Sequence, residues 1–200
     1  MPTLVLARET GGYVTAIDLH QPFLDELIRR AEHGGLADRI TPVRASMDAL
    51  DFPDASFDLI WSEGAIYVMG FAEGLRAWKR LLKPTGAIAV TELTWLDRSI
   101  PAEAARFWSE HHPAMSDVDT NLATIESAGF ASIEHFVLPE AAWWDQYYAP
   151  LEQRIDALRR GYRDDRQAMT FLDGAQREIA LYRTCSASYG YVFYVARNIG

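Results

Sequence analysis

Three acidic residues follow short apolar runs: Asp18 closes Val14-Thr15-Ala16-Ile17, Asp48 lies just past the run ending at Arg44, and Glu63 follows Phe57 to Ser62. A carboxylate at the carboxyl edge of a parallel sheet can accept both hydroxyls of a ribose. Asp18 has that position, and it equally has the position of a cap for the helix that follows. In Ser46-Met47-Asp48 the carboxylate can take an amino proton of an adenine while Met47 packs on the ring, or it can cap a turn. Behind Ser62 and Glu63, Gly64 lets a ligand approach the backbone closely. Three polar loop starts of this kind converge on one crevice.

Other reactive residue types point elsewhere. Neighbouring residues on a helix project about 100° apart, so His111 and His112 do not form a metal pair, and they read as surface or lid histidines. His135 alternates with Ile133 and Phe136 and reads as structural. Cys185 has no nearby basic cluster to lower its pKa and reads as a packed thiol. No metal is expected.

The elements that must carry these residues alternate. Tyr13 to Ile17 reads as a buried strand, Gln21 to His33 as a helix stopped by Gly34-Gly35, Arg39 to Arg44 and Phe57 to Trp61 as strands. A helix with Phe71, Leu75, Trp78 and Leu82 on one face leads to a fourth strand, Ala87 to Leu93. Such alternation predicts an α/β fold, a parallel sheet with helices on both faces. Helical patterns dominate afterwards, over Pro101 to His111, Asn121 to Ala128, Leu151 to Arg160 and Asp165 to Thr184. Between and after them, Ser132 to Leu138 and Tyr191 to Arg197 read as strands, the last entering the sheet edge.

At 200 residues and 49% apolar, one domain with a sizeable core is expected. Of the 19 cationic residues 17 are Arg, spread without a basic run, and the net charge is −9, which argues against nucleic acid as a partner. The longest uncharged stretch, Thr184 to Ala196, has 13 residues, too few for a spanning helix. One cysteine and the character of Met1 to Arg8 predict a cytoplasmic protein.

Val14 to Leu93 resembles the core of bacterial class I S-adenosylmethionine-dependent methyltransferases of the small-molecule, ubiquinone/menaquinone-biosynthesis-like group. The blocks that carry the resemblance are Val14 to Leu19, Ser46 to Leu50, Phe57 to Tyr67 and Leu82-Lys83-Pro84-Thr85-Gly86, extended by Trp143-Trp144 through Tyr148 and by Tyr189 to Tyr194. The resemblance implies a Rossmann-like sheet with an antiparallel edge strand, S-adenosylmethionine as cofactor and a small-molecule acceptor. It implies that Asp18 binds the ribose, Leu19 lies against the adenine, and Ser46, Met47 and Asp48 hold the base. Ser62 and Glu63 would border the methionine portion and the methyl group. Helical segments at about 97–128 and 140–185 would cover the substrate, with Trp95, Trp143, Trp144 and Tyr147 as its walls or as core filling. For a proton acceptor, Glu63 comes first, as a base or as an orienting carboxylate, with Tyr67 and Glu92 behind it.

The family's usual first strand and glycine-rich loop have no counterpart before Asp18, and Met1 to Arg8 resembles the helix that follows that loop. The chain therefore reads as shortened at its amino terminus. Weak cofactor binding, marginal stability or homodimer pairing through an exposed edge would follow. Two other readings are a catalytically inactive binding or dimerising module and a dinucleotide oxidoreductase. The absence of a glycine fingerprint and of a Tyr-Lys or Cys-His group argues against the oxidoreductase.

Overall fold

The periodicities become alternating helices and strands in the computed structural model, which describes residues 2–200. The backbone packs as two compact units, Met1–Pro53 and Asp54–Gly200.

In the first unit, α1 (Pro2–Thr10) and α2 (Gln21–His33) pack with two parallel strands, β1 (Val14–Asp18) and β2 (Ile40–Arg44), in register from Val14 opposite Ile40 to Asp18 opposite Arg44. Its core is Ala7, Leu27, Ala31, Leu36 and Ile40. The stop signal after α2 is a Schellman motif: Gly35 takes φ +66°, its N–H donates to the Glu32 carbonyl, and Leu36 N–H reaches back to Ala31. That closure turns Leu36 inward. Strand β1 was expected to be buried, but it is only half-buried along its length and Tyr13 before it is exposed. Within its unit it pairs with one strand, where a strand inside a sheet has two.

The second unit runs β3 (Phe57–Ser62), α3 (Phe71–Lys79), β4 (Leu82–Trp95), α4 (Ala102–His111), β5 (Ser116–Asp117), α5 (Val118–Ser127) and β6 (Phe130–Val137). It continues with α6 (Glu140–Trp143), a π-helical segment (Trp144–Tyr148), α7 (Ala149–Gly161), α8 (Arg166–Cys185) and β7 (Tyr189–Asn198). The sheet order is β3-β4-β7-β6, with β5 paired to β4. Strands β3 and β5 run parallel to β4, and β7 runs antiparallel to both β4 and β6. Helices flank this sheet.

The strand that runs against the others is the closing one, β7, but it does not form the edge; the edge is β6, antiparallel to β7 and therefore parallel to β4. The closing strand lies one position further in. The reason is burial: β7 hides Val192, Phe193, Tyr194 and Ala196 and needs a neighbour on each side, whereas β6 leaves Phe136 and Val137 exposed. Leu82, grouped with the helical face by spacing, instead opens β4. The residue before a proline is pushed away from helical geometry, and Lys83 precedes Pro84.

From Ile88 to Thr94 every residue of β4 is buried, including three polar ones, Thr91, Glu92 and Thr94. Asn121 of α5, also buried, donates to Thr94 Oγ1 at 3.1 Å and to the Tyr194 hydroxyl at 3.2 Å. Among the described residues no helix is long and apolar enough to cross a membrane. Replacing Asn121 with Ala strips both oxygens of a donor and should cost about 1–3 kcal/mol, read from the urea midpoint at unchanged slope; no loss would mean that the network does not hold α5 to the sheet.

Candidate functional site

In the first unit, one sheet edge collects the residues assigned to the cofactor. Asp18 ends β1, and its Oδ1 accepts from His20 N–H at 2.8 Å. Arg44 at the end of β2 donates from Nε to the Leu19 carbonyl at 3.1 Å, tying the two loop starts together. Leu19 is 55% exposed. Ser46 and Met47 are half-buried and Asp48 is exposed in the turn that Ala49 N–H closes onto the Ser46 carbonyl.

In the second unit, the loop after β3 is pinned by the Gly64 N–H, which donates to the buried Thr91 Oγ1 at 2.7 Å. Gly64 takes φ +58°, a conformation that suits glycine. Ser62 ends β3, half-buried. Glu63 is exposed, and its Oε1 takes the Trp61 indole N–H at 2.6 Å. It does not line the nearby cavity.

That cavity, about 450 Å³, is walled by Tyr67, Trp108, Trp143, Tyr147 and Tyr191, with His111, His112 and Glu178 among the rings. Leu93 of β4 and its cross-strand partner Tyr191 both reach it. Trp143 stacks on Tyr191 at 4.6 Å and on Tyr182 at 5.0 Å. Of the residues proposed as walls, Trp143 and Tyr147 line the cavity. Trp95 and Trp144 pack against the hydrophobic core behind it, Trp144 under the Arg183 guanidinium at 4.8 Å.

The two histidines, read from sequence as surface or lid groups, both face this cavity, His111 while remaining exposed. His111 stacks on Phe107 at 4.1 Å with its Nδ1 on the Phe107 carbonyl. His112 sits just past the end of α4, edge-on to Tyr67, with its Nε2 2.7 Å from Glu92 Oε1. Glu92 is 4% exposed, and its Oε2 is buried with no hydrogen-bond partner among the described residues. A carboxylate only accepts, so Nε2 is the ring nitrogen that donates to it.

Glu178 of α8 was not singled out by sequence. Its signal was there: it lies three residues after Ala175 and four before Tyr182, on the apolar stripe of the helix. Tyr148 donates its hydroxyl to Glu178 Oε1 at 2.8 Å. Burial pushes the Glu178 carboxyl above its usual range, while that hydrogen bond and His111 pull it back. Burial also pushes the Tyr148 and Tyr191 hydroxyls up. The π-helical turn adds a residue to the helical ladder just where Tyr147 meets the cavity and Tyr148 enters the core. Among the described residues no group of three or more His, Cys, Asp or Glu is placed to hold a metal ion.

A model of the methyltransferase domain family matches residues 2–86. The fold is the Rossmann-like one of solved methyltransferases. A methyltransferase from Geobacter sulfurreducens, solved with S-adenosyl-L-homocysteine, superposes with a TM-score of 0.74 over 96% of this chain and 77% of its own, at 24% identity. Among curated methyltransferases, the chain is 30% identical over 168 residues to the malonyl-(acyl-carrier protein) O-methyltransferase of Pseudescherichia vulneris, covering 84% of this chain and 57% of that one. It is 28% identical over 181 residues to the ubiquinone/menaquinone biosynthesis C-methyltransferase of Escherichia fergusonii, covering 79% and 66%. The chain thus spans between about half and two thirds of the length of these methyltransferases.

A folded-state carboxyl held above its unfolded value binds protons that the unfolded chain has released, so its contribution to stability falls as pH rises past the ordinary glutamate value of about 4.3. Glu178→Gln should therefore gain in melting temperature relative to the parent as pH is raised from 4 to 7. A difference that stays constant across that range would refute the raised carboxyl.

Proposed function

We propose that this chain transfers a methyl group from S-adenosylmethionine to a small-molecule acceptor held in the aromatic cavity of the second unit, with His112 as the proton acceptor. The observation that carries the reading is the 2.7 Å contact between His112 Nε2 and the buried Glu92 at the wall of that cavity. S-adenosylmethionine, when bound, supplies an electrophilic methyl group on a sulfonium, so the protein's work is alignment and exclusion of water.

Asp18 and Leu19, with Ser46, Met47 and Asp48, hold the nucleoside, on the strength of their shared sheet edge. Ser62 borders the methionine portion from the end of β3. The rings of Trp143, Tyr147 and Tyr191 wall the acceptor and keep solvent from it. Glu92 fixes the imidazole tautomer, so that Nδ1 takes the proton that the acceptor atom gives up. The buried carboxylate also stands opposite the positive charge that then forms on the ring. Glu63, engaged by Trp61, orients its loop. Tyr67 packs edge-on against His112 and sets the ring plane.

Calorimetric titration with S-adenosylhomocysteine tests the first half of the proposal, with saturable binding that Asp18→Ala weakens as the expected result. Acceptor turnover tests the second half: His112→Asn should lower kcat by about 10²–10⁴-fold while leaving S-adenosylhomocysteine binding intact. An unaltered kcat in that variant would remove His112 from the chemistry, and absence of any S-adenosylhomocysteine binding would remove the reaction.

A further inference from the structure

We infer that the cavity selects a cationic acceptor, a small molecule bearing a positively charged nitrogen, and that Glu178 is the residue that sets this preference. The inference rests on reading the cavity as the acceptor site, and it adds the chemical class of the occupant.

Five of the ten residues lining the cavity are Tyr or Trp, and the faces of such rings carry the negative end of a quadrupole that attracts cations. Glu178 stands among them. Its Oε1 takes the Tyr148 hydroxyl, a neutral donor, and among the described residues no Lys or Arg forms an ion pair with it. The contrast along the same helix is sharp: Asp173 pairs with Arg159, and Arg183 pairs with Glu152. Arg177, the residue next to Glu178, lies over the Phe107 ring at 5.9 Å. The chain thus pairs Glu152 and Asp173 with arginines and leaves Glu178 facing the cavity.

A carboxylate drawn among aromatic rings with only the Tyr148 hydroxyl and the His111 imidazole beside it is costly, and a ligand cation recovers part of that cost. An anionic acceptor would meet the opposite situation, because no Lys or Arg lines the cavity and the carboxylate would repel it. The net charge of −9 adds a field that draws cations toward the molecule.

The test compares two probes of one shape. Choline carries a quaternary nitrogen, and 3,3-dimethylbutan-1-ol replaces it with a neutral carbon. Each is titrated into the whole chain with Trp108 and Trp143, which line the cavity, as fluorescence reporters. Choline should bind about tenfold or more tightly than the alcohol, and Glu178→Gln should bring the two affinities together. Equal binding of the two probes by the parent chain overturns the inference without recourse to a variant, as does a preference that survives in a folded Glu178→Gln. A parallel titration with S-adenosylhomocysteine separates the two readings. Its binding without a cation preference sinks only the acceptor class, and a cation preference without its binding sinks methyl transfer and leaves a cation site.

Discussion

Between Ile88 and Thr94 strand β4 passes through the interior of the second unit with three polar side chains that water does not reach. Each must find a partner inside the protein, because an unpaired buried polar group costs about 1–3 kcal/mol. The partners lie far along the chain from one another, and each belongs to an element that the site needs. Thr91 takes the Gly64 N–H and so fixes the loop after β3. Glu92 takes His112 and so fixes the end of α4. Thr94 takes Asn121 and so fixes α5.

Satisfying β4 therefore brings the functional elements to one end of the sheet. The two threonines are fully served by neutral donors. Glu92 is not, since one of its oxygens has no hydrogen-bond partner among the described residues. An incompletely paired buried carboxylate is a poor choice for stability, and replacing such groups by packed apolar ones is often neutral or favourable. Its retention makes sense as a device that holds an imidazole in one tautomer beside a cavity. Glu178 shows the same trade at that cavity, an acid placed on an apolar helical stripe with a tyrosine hydroxyl as its hydrogen-bond partner and no Lys or Arg paired to it among the described residues.

The aromatic side chains divide along the same line. Tyr148, Tyr182 and Tyr189 are buried and belong to the core, whereas Tyr67, Tyr147 and Tyr191 keep a face toward the cavity. Stacking links the two groups through Trp143, which touches Tyr148, Tyr182 and Tyr191. The core therefore stiffens the cavity wall, which a site depending on alignment requires.

Most of the element order was readable from the amino acids alone. The periodicities placed α2 at Gln21 to His33 with Gly34-Gly35 closing it, and the acid-after-strand pattern put Asp18, Asp48 and Glu63 at loop starts. Those features are local: a helix stripe, a glycine at positive φ and an acid after a strand are encoded within a few residues. Strand neighbours are not local, which is why the closing strand's place inside the sheet, next to β6, emerged only from its burial. The pairing of Glu92 with His112 across 20 residues is likewise invisible to spacing, although a glutamate inside a buried strand signals that some partner exists. Sequence could say that an acid stood there; only the tertiary structure decided that the acid faces a histidine, because side chains far apart in the chain meet through packing that no local pattern records.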